Sequence, residues 1–137
     1  MYLLDSNVIS ELRKATRADT HVVNWAESVR PSTLFLSVIT IMELELGILR
    51  IARRDHRQGD LLRAWLEDRV LPAFADHVLP IDTAVALRCG ELHVPDPRNE
   101  RDALIAATAL VNGMTVVTRN GSDFHATGVA VLDPWVG

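Results

Sequence analysis

Five short runs, at residues 2–4, 34–38, 78–81, 115–118 and 129–132, are mostly apolar on both faces and lack the alternation of a strand with one wet side. Strands of that kind are buried on both sides, as in a parallel sheet covered by helices. The stretches between them have helical spacing, at residues 7–14, 20–29, 39–54, 58–74, 83–92 and 100–112, with a short helix expected after Ser122. Strand, helix, strand in alternation implies right-handed crossovers and an α/β fold with a central parallel sheet. No repeat or charge block divides the 137 residues, and 48% hydrophobic content is enough for one core, so a single domain over 1–137 is expected.

Several classes fall away. A lone Cys89 can form no internal disulfide, no leader-like segment follows Met1, and the longest apolar run, 34–42, is far short of the ~20 residues a bilayer needs. A cytoplasmic protein without a membrane span is the expectation. The formal charge of -4 is not that of a chain that attracts nucleic acid through its own surface.

In parallel sheets, ligands collect beyond the carboxyl ends of the strands. Four acids fall at such positions: Asp5 after the first strand, Glu43 early in the helix after the second, Asp102 in the first turn of helix 100–112, and Asp123 after the fourth strand. Each has an ordinary reading. Asp102 and Asp123 suit helix N-termini, Asn99 three residues before Asp102 resembles a cap, and Asp5 could be a turn residue followed by Ser6 or Asn7 as cap. Glu43 resists that reading, because it lies in an apolar string where an unpaired acid is costly to bury. On a helical wheel Glu43, Gly47, Arg50 and Arg54 share a stripe, and Ala106 and Ala109 fall on the side of Asp102, so small residues should leave both acids open.

Carboxylates crowded together repel one another unless a cation joins them. The five histidines form no close helical pair, so the donors are oxygens and the expected ion is Mg²⁺ or Mn²⁺. Two such ions can hold a scissile phosphate, activate a water and stabilise the leaving oxygen. An acidic chain could then accept a polyanion through its metals.

The segments Leu4-Asp5-Ser6-Asn7-Val8-Ile9, Ser37-Val38-Ile39-Thr40-Ile41-Met42-Glu43-Leu44, Asp102-Ala103-Leu104-Ile105-Ala106-Ala107-Thr108-Ala109, and Thr118-Arg119-Asn120 leading to Asp123-Phe124 resemble the PIN-domain ribonucleases, in particular toxins of the VapC and FitB type. The ending Leu132-Asp133-Pro134-Trp135 is similar to the FitB branch. The resemblance implies a three-layer α/β/α domain with a five-stranded parallel sheet and a metal-dependent endoribonuclease. Carried over by position, Asp5, Glu43 and Asp102 would bind metal and Asp123 would complete the cluster. Ser6, Thr118 and Asn120 would support it, while Asn99, an amide where relatives often have another polar or acidic residue, suits a cap. The implied products are a 5′-phosphate and a 3′-hydroxyl. The implied partner is a small VapB-type antitoxin that occupies the acidic site and carries the DNA-binding domain, so that DNA is met only through the complex.

Two further surfaces are read from the residues. Met42, Leu46 and Leu49 form a second apolar side on helix 39–54, suited to a homodimer or an antitoxin segment, or else to burial under helix 58–74. Arg50, Arg54 and Arg57 extend the Glu43 stripe, either as RNA phosphate contacts or as a solvated face. Phosphoaspartate chemistry is excluded, since dehalogenase-like phosphatases want an acid at Asn7 and both they and receiver domains use a late lysine, whereas Lys14 is the only lysine. The remaining competitor is a non-catalytic PIN-type RNA-binding or scaffold protein, which would be expected to lose an acid.

Overall fold

A computed structural model describes residues 1–136. All strands are parallel: β1 (Tyr2–Leu4), β2 (Leu34–Ser37), β3 (Val78–Leu79), β4 (Thr115–Val117) and β5 (Val131–Leu132) form one five-stranded sheet in the order β3-β2-β1-β4-β5. Tyr2 pairs with Leu34 on one side and Thr115 on the other, so the first strand of the chain is the middle strand of the sheet. β2, β3, β4 and β5 are each shorter than the apolar runs suggest, the edge strands β3 and β5 most of all. Pro80, which has no N–H for a ladder, follows Val78–Leu79, and Val38 leaves β2 to open a helix.

Successive strand residues face opposite layers. Leu4, Leu36 and Val117 pack with Val8, Val22, Leu44, Ile48 and Leu62, from α1 (Ser6–Leu12), α2 (Thr20–Ser28), α3 (Val38–Arg54) and α4 (His56–Trp65). Leu3 and Val116 face the other way, onto Ile105, Ala106 and Ala109 of α7 (Glu100–Asn112), which lies beside α6 (Thr83–Leu92). This gives the α/β/α layering. Ala103, Ala106, Ala107 and Ala109 are all fully buried, so α7 lies close against its neighbours. Ala106 and Ala109 therefore pack the core and do not border the cleft described below, contrary to the wheel reading.

The long pattern at residues 58–74 is not one regular helix. α4 starts earlier, at His56, because the Asp55 side chain accepts a hydrogen bond from the Gln58 N–H. It then widens through Leu66–Val70, where the Leu71 N–H reaches back to Leu66, and ends in α5 (Leu71–Ala73). Pro72 supplies no N–H to the helix, and the widened turn lies just before it. Helices α3 and α4 approach closely at Gly59, where a Cβ would lie 2.5 Å from that of Ala52. Glu45 and Arg63 bridge the same two helices through a paired carboxylate and guanidinium. Among the described residues no helix is long and apolar enough to cross a membrane.

Candidate active site

The sheet order changes direction beside β1: its neighbour β2 follows it in sequence, while β4 returns from the far end of the chain. Such a switch point leaves a crevice at the carboxyl edge of the strands. Here it is an open cavity of about 820 Å³ whose lining includes Asp5, Glu43, Asp102 and Asp123 together with Ser6, Asn99 and Asn120. All four acids expected from the sequence thus share one cleft.

Asp5 leaves β1 and is itself the cap of α1, with one oxygen accepting the Ser6 N–H at 2.9 Å. Its other oxygen accepts from the Thr118 hydroxyl at 2.9 Å. That hydroxyl also accepts from the Asn7 side-chain amide and from the Asn120 N–H, both at 3.1 Å, so it is fully used. Thr118 has no exposed surface, and its single oxygen ties the exit of β1 to the exit of β4. Asn7, expected only as a cap, also accepts the Arg119 N–H at 3.3 Å and fastens the loop that carries Asp123.

Glu43 projects from α3, which the Ser37 side chain caps by accepting the Ile39 N–H. The Ser6 hydroxyl lies 3.4 Å from Glu43. Asp102 sits in the first turn of α7, where the Asn99 side chain accepts its N–H at 3.1 Å, as a cap does. Asp123 lies in the short helical turn Gly121–Phe124 and is exposed.

The acids perturb one another. Burial pushes the Asp5 carboxyl up, opposed by the hydrogen bonds from Thr118 and Ser6, and Asp123 adds repulsion. Burial also raises Glu43, with Asp5 and Asp102 adding to it and Arg101 opposing it. Asp102 is raised to about 6 by burial first, then by Asp123 and Asp5, with Arg101 again opposing. Carboxylates held in this way retain protons or take up cations.

Arg101 is a residue of the cleft that sequence reasoning missed. Its guanidinium stands 3.8 Å from Glu43, the one basic side chain among the residues lining the cleft. An arginine next to an acid in the first turn of a helix has the pattern of a solvated pair, and only the crossing of α7 past α3 turns it inward.

The other expected groups lie apart. Arg50 and Arg54 are exposed on α3 outside the cleft lining, and Arg57 belongs to the first turn of α4, beyond the break at Asp55, so it does not continue the α3 stripe. Met42 and Leu49 are 40% and 49% exposed, and Leu46 is half-buried, so α4 does not cover this apolar side.

The donors offered to a cation are all carboxylate and amide or hydroxyl oxygens, with no imidazole or thiol lining the cleft. This set suits magnesium or manganese over zinc. The acids ring the cleft without being closed on one point: among the described residues no three carboxylate, imidazole or thiol groups stand close enough together to enclose an ion. The fit is one of donor type, charge and placement.

The PIN domain family model matches residues 2–130. A VapC ribonuclease, Y4jK, of Sinorhizobium fredii is 37% identical over 140 residues, covering 98% of each chain. The toxin FitB of Neisseria gonorrhoeae is 36% identical over 140 residues, covering 98% of this chain and 99% of that one. Among solved structures, FitAcB from Neisseria gonorrhoeae superposes with a TM-score of 0.91 at 35% identity over 100% of both chains. The FitAB complex bound to an IR36 DNA fragment gives 0.88 at 35% identity, covering 98% of this chain and 96% of that one. The chain therefore belongs to the PIN-domain family, within the group that contains the VapC ribonucleases and FitB toxins.

Proposed function

We propose that this protein is a divalent-ion-dependent endoribonuclease and the toxin of a VapBC-type toxin-antitoxin pair. The observation that carries the reading is the meeting of Asp5, Glu43, Asp102 and Asp123 in one cleft at the switch point of the sheet. Asp5, Glu43 and Asp102 would hold Mg²⁺ or Mn²⁺, with Asp123 completing the set. Once bound, such an ion supplies Lewis-acid polarisation of a phosphate oxygen and a water acidic enough to attack at neutral pH.

The chain's own groups do the positioning. Thr118 fixes the rotamer of Asp5 by its hydrogen bond, and Asn7 and Asn120 hold Thr118 in turn. Ser6 does the same for Glu43. No cysteine or histidine is among the residues lining the cleft, and the Ser6 hydroxyl, 3.4 Å from Glu43, serves to orient that carboxylate. Hydrolysis by water is the step these residues serve, leaving a 5′-phosphate and a 3′-hydroxyl.

For partners, the same reading gives a small antitoxin that places a basic side chain among the acids and contacts DNA on behalf of the complex. The apolar side Met42, Leu46 and Leu49 supplies a homodimer contact, while Arg50, Arg54 and Arg57, exposed and outside the cleft lining, are a solvated face.

The test is cleavage of RNA by the purified chain with Mg²⁺ or Mn²⁺, against EDTA and against Asp5→Asn. Cleavage should need the ion and be lost in the variant, and the fragments should be 5′-phosphorylated. Cutting that survives both treatments, or fragments ending in 2′,3′-cyclic phosphate, would refute the reading.

A further inference from the structure

A second hollow, of about 140 Å³, shares Ser6, Ser10 and Glu43 with the acidic cleft and extends from it between α1 and the α3–α4 pair. Its inner surface is apolar, formed by Ile48, Ile51 and Leu62, and Arg13 and Trp65 border it. The Arg13 guanidinium lies 5.7 Å from the centre of the Trp65 ring, and Arg13 forms no ion pair among the described residues.

Gly47 borders the same hollow. A glycine inside a helix costs ~1 kcal/mol relative to alanine, so it usually answers a need for space. At Gly59 that need is the contact with Ala52, but a Cβ on Gly47 would meet nothing within 4 Å. The same holds of Gly90 in α6, so the open space beside Gly47 shows only that the hollow has room there for an added side chain or a ligand group.

We propose that this hollow is a nucleobase subsite, receiving the base next to the phosphate held in the acidic cleft. The inference rests on the RNA reading above. A base has two apolar faces and a polar edge. The hollow offers an apolar surface, an arginine-tryptophan wall for stacking, and hydroxyls and a carboxylate where it joins the cleft. The shared lining also sets the hollow directly beside the place where the phosphate would sit, one nucleotide away.

The test uses the full chain with Mg²⁺ and two kinds of probe, ribose 5-phosphate and the common ribonucleoside 5′-monophosphates, with affinities measured by calorimetry. A stacked base should make at least one nucleotide bind roughly five-fold or more tightly than ribose 5-phosphate. Gly47→Leu, which fills the hollow and favours the helix, should erase that gain while leaving ribose 5-phosphate binding and the melting temperature unharmed. Arg13→Gln, on an exposed side chain, should reduce the gain in part. No base-dependent gain, or a gain that survives Gly47→Leu, would overturn the subsite while leaving the nuclease reading intact. The same holds if N-acetylleucinamide binds and is displaced by Gly47→Leu while the nucleotides show no gain, which would assign the hollow to a protein. If ribose 5-phosphate binds no better with Mg²⁺ than with EDTA, the nuclease reading and the subsite fail together.

Discussion

Replacing Asp102 with asparagine should make the ion-free protein more stable. The carboxyl is raised from the ordinary 3.8 to about 6, chiefly by burial and then by its acidic neighbours. At about 1.4 kcal/mol for each tenfold change in proton affinity, keeping it charged in the folded chain costs at most about 3 kcal/mol. Asp102 is partly exposed and solvent screens the repulsion, so about half of that is the working figure. Its place in the first turn of α7 returns ~0.3–1 kcal/mol through the helix dipole, which the variant also loses. The net gain for Asp102→Asn is about 1 kcal/mol, or roughly 3–5 °C in melting temperature for a domain of this size. The sign of the pH dependence follows from the raised value. The penalty is complete above the folded value of about 6, shrinks as pH falls towards 3.8, and is gone below it. Urea melts in EDTA should therefore separate variant and wild type at pH 8 and bring them together near pH 4. Saturating Mg²⁺ or Mn²⁺ should reverse the order, since an ion at a hundred times its dissociation constant stabilises by about 2.7 kcal/mol. Equal or lower stability of the variant at pH 8 in EDTA, or an advantage undiminished at pH 4, would refute the argument.

Thr118→Val keeps the shape but removes the hydroxyl that serves Asp5, Asn7 and Asn120, and should destabilise the protein by ~2–3 kcal/mol in denaturant titrations. Arg101→Gln removes a charge 3.8 Å from Glu43; at the ~1 kcal/mol of such a pair in water, divalent-ion affinity measured by calorimetry should tighten roughly five-fold. Leu49→Asp with Met42→Glu should abolish self-association in sedimentation without lowering the melting temperature, because both side chains are exposed in the single chain.

The sheet and the acids were legible for the same reason. A strand buried on both sides leaves no place for a carboxylate until it ends, so Asp5 marks a strand exit, and Glu43 stands out because its neighbours belong to the core. What neighbours in sequence could not show was anything created by helices crossing. Arg101 meets Glu43 only because α7 passes α3, and Ala106 and Ala109 look outward on a wheel yet lie fully buried. The break after Arg54 was legible, but the next helix starts at His56, two residues earlier than its spacing suggested, so Arg57 lies in the first turn of α4 and does not prolong the stripe that ends at Arg54. The widened turn before Pro72 left no trace in the apolar spacing.

The central strand is the first one made, yet its partner β4 arrives only at Thr115, more than a hundred residues later. A polypeptide released early from the ribosome, before that point, has Asp5 and Glu43 but neither the hydroxyl of Thr118 that orients Asp5 nor the loop that bears Asp123. A chain cut short there therefore lacks part of the acidic cleft, and the site is completed only when the last part of the sequence has joined the sheet.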